Sequence, residues 1–323
     1  MKRIITNIII AIIFLTGLSI LLYPAVSDYV NELHSSKAIV DYDNILNSLP
    51  KEDYEHELQA AKEYNVYLTR FANLSEAAVT EEKRSDSPYW SLLDIGSASI
   101  MGSIRIPSIK VNLPIYHGTG EEVLQIGAGH YLGSSLPIGG ESTHAILTGH
   151  RGLPSAKLFT DLDRLETGDI FYIKVLGDIL EYEIDQIETV LPSELDSLSI
   201  TPGEDYVTLV TCTPYGINSH RMLVRGTRIP YDGKYEEEVK MKPVPKNTDL
   251  PESERGNGFT TKQWILFAAA VFAAAILAGL LLPGKKSGKK ENGSGDEAAE
   301  GKKKKLSKNS RTEKKEGSHE KKE

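Results

Sequence analysis

Residues 4–22 are almost continuously apolar, and a second such run occupies residues 264–282. About 20 apolar residues in sequence are enough to cross a bilayer, so both runs predict membrane-spanning helices. The first exceeds the roughly 7–15-residue apolar core of a secretory leader. Its nearest approach to a cleavage site is the weak match Pro24-Ala25-Val26-Ser27, so it is expected to persist as an anchor. Over residues 28–73 the apolar period becomes helical. One stripe comprises Tyr29, Val30, Leu33, Ile39, Tyr42, Ile45, Leu46 and Leu49; a second comprises Tyr54, Leu58, Ala61, Asn65 and Leu68, with one polar member. The run Asn47-Ser48-Leu49-Pro50 separates them, with proline near the start of the second helix. Residues 73–89 are polar and read as a loop. From Gly102 the period falls to two, with strands expected over 103–107, 110–116, 144–148, 169–175, 179–190, 206–211 and 221–228. Short helices are expected at 121–128 and 155–165. Many short strands divided by turn residues indicate a β-sandwich or a barrel.

Charge adds a direction to this pattern. The chain of 323 residues has a net charge of −8, but residues 284–323 carry 14 Lys+Arg against 8 Asp+Glu. Basic residues flank the outer side of each apolar run: Lys2 and Arg3 before the first, Lys285 and Lys286 after the second. The bias of cations toward the cytoplasm predicts both termini inside and residues 28–262 outside. The tail, mixed with glutamates and tethered to a membrane, argues against nucleic acid as a partner. Residues 231–261, rich in Pro, Glu and Lys, read as a linker.

A single cysteine, Cys212, excludes an intramolecular disulfide. It lies in YVTLVTCTPYGINSHRMLVRGTR, residues 206–228. That stretch reads as two strands joined by a breaker-rich loop, a hairpin with Cys212 where one strand ends and Arg221 where the next begins. A reactive thiolate needs a basic or positive neighbour. His150, in the turn Thr148-Gly149-His150-Arg151-Gly152, is displayed at another strand end; His130 and His220 are rivals. Arg221 offers a fixed charge and several donors to an oxyanion, whereas Arg225 and Arg228 read as surface strand residues. No Cys/His metal-ligand set or phosphate-cradling glycine loop is present in the sequence, and no cofactor is implied.

TLVTCTP (208–214), followed nine residues after the cysteine by a strand-opening arginine, resembles the active site of the sortases. With TGHRGLPSAKLFTDLD (148–163), the longer string TCTPYGINSHRMLVRG resembles class C sortases, the pilin-polymerising transpeptidases of Gram-positive bacteria. The resemblance covers residues 91–229 well. It implies a mainly β fold, a closed eight-stranded barrel with N-terminal helices, flanked here by two transmembrane helices. The expected organisation is a cytoplasmic start (1–3), an anchor (4–26), a helical extension with a lid (27–90), a catalytic barrel (91–230), a linker (231–261), a second span (262–283) and a cytoplasmic tail (284–323). The family lid carries an Asp-Pro-aromatic motif. Here Ser87 interrupts it in Asp86-Ser87-Pro88-Tyr89, so Asp86 and Tyr89 as lid residues depart from the pattern.

The resemblance also implies a mechanism. Cys212 attacks the threonine carbonyl of a Leu-Pro-x-Thr-Gly-like sorting signal, His150 protonates the leaving amine and Arg221 steadies the oxyanion. A thioester forms, and a lysine amine of the next pilin resolves it. The partners implied are pilin or surface-protein precursors, an amine acceptor and the lipid bilayer. Three alternatives remain at this point: a housekeeping-type sortase joining proteins to peptidoglycan, a thiol hydrolase, and a non-catalytic membrane-tethered adhesion or scaffold barrel.

Overall fold

A computed structural model describes residues 2–95 and 99–235. The second apolar run, most of the linker and the basic tail lie outside the described residues.

Three helices precede the strands: α1 (Lys2–Ser48), α2 (Lys51–Leu68) and α3 (Leu74–Lys83). The break at residues 49–50 falls where Pro50 predicts it. α1 runs unbroken through Pro24 and across residue 26, where the expected anchor meets the expected extension. Its first part is long and apolar enough to cross a membrane, and none of that stretch is buried in the protein. The stretch expected as a loop over 73–89 instead holds α3. Asn73 caps it, its side chain accepting from the Glu76 amide at 2.9 Å, while Glu76 accepts from the Ala72 amide at 3.2 Å. These bonds satisfy amides that a helix start leaves free.

Eight strands follow: β1 (Ile100–Ile106), β2 (Val111–His117), β3 (Ala128–His130), β4 (Thr143–Thr148), β5 (Ile170–Val175), β6 (Asp178–Val190), β7 (Asp205–Thr213) and β8 (His220–Ile229). They close in the order β1-β2-β3-β4-β7-β8-β6-β5. The β2–β3 and β4–β7 pairs are parallel and the others antiparallel. The closed eight-stranded barrel is the expected fold, and closure removes the exposed strand edges. A short helix α4 (Glu121–Leu124) precedes β3 and is shorter than the 121–128 stretch expected. The helix expected over 155–165 is absent; a single 3-10 turn, Leu162–Arg164, stands there.

Alternation along the strands separates an inner face from an outer one. Ile104, Ile115, Leu147, Phe171, Ile173, Tyr182, Val207, Leu209 and Val224 are buried in the main core. Val210, Leu223 and Ile146 belong to a second, smaller cluster with Leu74 of α3 and Leu198, on the outer wall of β4, β7 and β8.

The helices are fastened to the barrel by buried polar contacts. Tyr42 of α1 donates to the Met101 carbonyl at 3.2 Å and accepts from the Leu176 amide at 3.1 Å. Beside it, Lys174 reaches both oxygens of Asp43 at 2.7 Å. The polar member of the α2 stripe, Asn65, is 3% exposed. Its amide donates to the Leu136 carbonyl at 3.1 Å and its oxygen accepts from the Leu136 amide at 2.7 Å. Asn65 thereby completes a stretch of buried backbone that has no strand neighbour of its own. Asn65→Ala leaves both Leu136 groups unpaired, and the expected loss is about 2 kcal/mol of unfolding free energy. Urea denaturation of the two proteins measures it; a change within error of zero would show that water replaces the side chain.

Candidate active site

The site is built on the outer wall, at the end of the barrel where β4 and β7 finish and β8 begins. In β7, Val207, Leu209 and Thr211 alternate with Thr208, Val210 and Cys212, so the thiol shares the outer face with the second apolar cluster. Register pairs Cys212 with Arg221 across the β7–β8 hairpin. The guanidinium donates to the carbonyls of Asn218 at 3.3 Å and His220 at 3.1 Å. Two backbone acceptors of its own loop therefore hold the Arg221 head beside the strand end.

His150 arrives from β4. The parallel register pairs Thr148 with Val210, and carrying it two residues further aligns His150 with Cys212. Three bonds fix this continuation. The Gly149 amide donates to the Val210 carbonyl at 3.0 Å, Thr211 Oγ1 donates to the Gly149 carbonyl at 2.7 Å, and the Phe159 amide donates to the His150 carbonyl at 3.1 Å. A side chain at position 149 would meet the Phe159 ring at 2.6 Å, so glycine is what lets that ring close over the turn. His150 keeps 26% of its side chain exposed, and its Nε2 lies 3.3 Å from Glu121 at the start of α4. Hydrogen bonds from Gln125 and then His150 hold the Glu121 carboxyl below its ordinary range.

The neighbouring Arg151 also serves this corner. It pairs with Asp163, donates to Thr213 Oγ1 at 3.2 Å and lies against the Tyr215 ring. The sequence pattern does not single Arg151 out, because its partners are residues 12 and 62 positions away.

The rival histidines differ in kind. His130 is fully buried. Its Nε2 faces the Ser135 carbonyl at 2.8 Å, which assigns the proton there and leaves Nδ1 to accept from Tyr89 at 3.0 Å. Burial pushes its pKa down to about 4. His220 is paired in register with Thr213, one step beyond Cys212, and its Nδ1 lies 2.9 Å from the Ser219 hydroxyl.

The lid expectation meets a correction at Tyr89. This side chain is 0% exposed, and its hydroxyl contacts His130 Nδ1 and the His130 carbonyl at 3.0 Å and accepts from the Gly118 amide at 2.9 Å. It is a core residue, fixed by polar partners that the sequence motif does not reveal. Asp86 is exposed and pairs with Arg84 at 2.9 Å.

Comparison with known proteins places the barrel in a family. A sortase domain is matched over residues 104–229. The crystal structure of sortase C1 from Streptococcus agalactiae is 47% identical; the match covers 61% of this chain and 100% of that one, at a TM-score of 0.56. A sortase C from Streptococcus pneumoniae is 45% identical over 60% of this chain and 97% of that one, at 0.55. Sortase A of Streptococcus agalactiae is 30% identical over 161 residues, covering 45% of this chain; the chain spans 65% of that relative's length. The chain belongs to the sortase family.

Buried histidines give the barrel a pH limit. His144 is held like His130: Nδ1 faces the Ser199 carbonyl at 3.0 Å, Nε2 faces Thr208 Oγ1 at 2.7 Å, and burial lowers its pKa to about 4. The unfolded chain takes up these protons near pH 6.5 and the folded one only near 4. Stability is therefore complete above pH 6.5 and falls between 6.5 and 4, each histidine contributing on the order of 3 kcal/mol. Denaturant midpoints measured from pH 7 to pH 4 should drop steadily, and NMR should find both imidazoles neutral at pH 5.5. A flat profile would contradict the assignment.

Proposed function

We propose that this chain is a membrane-anchored extracellular cysteine transpeptidase that cleaves a Leu-Pro-x-Thr-Gly-like sorting signal and passes the acyl group to a lysine amine of a pilin. The observation carrying this reading is the convergence of Cys212, His150 and Arg221 on one strand end. Cys212 and Arg221 are joined by strand register, and His150 is held beside them by the Gly149–Thr211 bond.

Each residue has a role fitted to its placement. Cys212 is the nucleophile and closes a thioester with the threonine carbonyl. His150, partly exposed and in contact with the Glu121 carboxylate, gives a proton to the leaving glycine amine and takes one from the incoming amine. Arg221, oriented by two carbonyls, directs its remaining donors to the oxyanion.

A pilin amine is favoured over a cell-wall amine by the matched structures. Streptococcal C-type sortases match at 45–47% identity, one of them described for its pilin substrate specificity, whereas sortase A relatives match at 28–30%. The helical extension wrapped on the barrel points the same way. The two-pass arrangement, with residues 28–262 outside and both termini cytoplasmic, belongs to the same proposal. It is supported by the apolar start of α1 and by the basic flanks of the two apolar runs.

Mass spectrometry of the full-length protein with a Leu-Pro-x-Thr-Gly peptide tests the chemistry. An acyl adduct on Cys212 is expected, lost in Cys212→Ala. Arg221→Lys should lower its rate of formation by roughly 10²–10³-fold, and His150→Ala by about 10²–10⁴-fold. Adduct formation in Cys212→Ala, or unchanged rates in the other two, would refute the assigned roles. Resolution by a pilin-derived lysine peptide but not by a peptidoglycan stem peptide is the outcome expected for the acceptor.

A further inference from the structure

Four large apolar side chains are exposed on the barrel between Ile100 and Ile229 among the described residues: Ile126, Leu191, Tyr215 and Ile217, at 44, 46, 61 and 71%. They come from three separate connections, yet all lie at one end. Tyr215 and Ile217 form the β7–β8 loop directly after Cys212. Leu191 follows Val190, which is paired with Arg221. Ile126 follows α4, whose Glu121 touches His150. Scattered apolar residues on a surface are ordinary, but a group gathered at one end calls for a partner.

The course of α1 identifies that partner. Its C-terminal part is fastened at the far end of the barrel, where Tyr42 and Asp43 hold Leu176 and Lys174 at the β5–β6 turn. Towards its N-terminus the helix passes Ser35, which donates to the Ile126 carbonyl, and then Asp28, which accepts from the Lys157 amide at 2.6 Å. Lys157 belongs to the connection that follows His150, and its Nζ reaches the Ile109 carbonyl at the end of β1. The helix therefore leaves the barrel at the catalytic end. Asp28 lies six residues beyond Leu22, the end of the apolar run, or about 9 Å of helix.

We infer that the catalytic end of the barrel faces the bilayer, and that the β7–β8 loop, through Tyr215 and Ile217, seats in the lipid interface as a second contact beside the anchor. The inference rests on the reading of the start of α1 as a membrane span. Tyrosine and aliphatic side chains at a membrane-facing rim suit the headgroup boundary. The occupant is a lipid surface because α1, continuous from its apolar start to its contacts on the barrel, brings that surface to this end. Pro24 lies between span and barrel and removes one helix hydrogen bond.

The test uses the full chain in vesicles of phosphatidylcholine and phosphatidylglycerol. In a Cys212→Ala background, single cysteines are introduced by Ile217→Cys, Asp178→Cys and Tyr23→Cys and labelled with a fluorophore sensitive to polarity. Nitroxide-bearing lipids then quench whatever lies in the bilayer. Position 217 is expected to be quenched at least about twofold more than position 178 at the opposite end, with a blue shift. Equal quenching at 217 and 178, with 23 quenched, overturns the inference and leaves the anchor standing. An unquenched label at 23 overturns the anchor reading and the inference with it. A label at 217 that ignores vesicles but shifts with a Leu-Pro-x-Thr-Gly peptide assigns the loop to substrate and also overturns it.

Discussion

The parallel pairing of β4 with β7 joins two chain segments 62 residues apart and sets the distance between a thiol and an imidazole. A parallel pair has no tight turn to fix its register, so the register depends on what the two strands bury. Here Leu147 and Leu209 go inward, while Ile146 and Val210 go outward. A slip of one residue would exchange the faces of every side chain. The last step of the pairing is made by a side chain: Thr211, 1% exposed, turns its hydroxyl to the Gly149 carbonyl. That bond carries the order of the sheet one residue past its end, to the turn that presents His150. Arg221 needs no comparable device, since hairpin register places it opposite Cys212.

The same wall explains why α3 belongs to the site. An outer face bearing Ile146, Val210 and Leu223 is too apolar to be left to water near a reactive thiol. Leu74, Leu198 and flanking side chains cover it, leaving Ile146, Val210 and Leu223 buried. Ala77 of α3 packs down on the segment at Gly133, whose positive φ and lack of a side chain allow the helix backbone to approach. The segment where a lid was expected is therefore tied to the barrel by packing, and Tyr89 ends it as a core anchor bonded to His130.

Much of the barrel was legible because its signals are local. Alternation in β7 and β8, the breaker-rich loop between them and the Cys212–Arg221 spacing all lie within 23 residues. The break before Pro50 was legible for the same reason. What failed was decided at a distance or by weak local chemistry. The α3 helix was signalled by Asn73 and Glu76, an N-cap with a glutamate three residues later, but its few apolar residues hid the period. The helix expected over 155–165 has adequate composition, yet Lys157 and Phe159 are held by Asp28 and His150, and those long-range bonds impose an irregular course. By its place in the Asp86-Ser87-Pro88-Tyr89 string, Tyr89 reads as a lid residue. Its burial follows from His130 and Gly118, which no spacing rule connects to it. Glu121, the carboxylate at His150, likewise lies 29 residues from its partner.

On the membrane-anchored reading proposed above, a span that continues as one helix into the folded domain would do more than prevent diffusion. A flexible tether leaves orientation to chance, whereas α1, fixed near both ends of the barrel wall, transmits the direction of its span to the strands it touches. On the proposed function, a substrate tethered to the same bilayer would present its cleavage site within a narrow layer above the lipid. The orientation inferred above would turn the proposed catalytic end to that layer, confining the search to two dimensions and raising effective concentration without any added contact. An amine arriving from outside must then approach from the flank of the barrel rather than through the membrane.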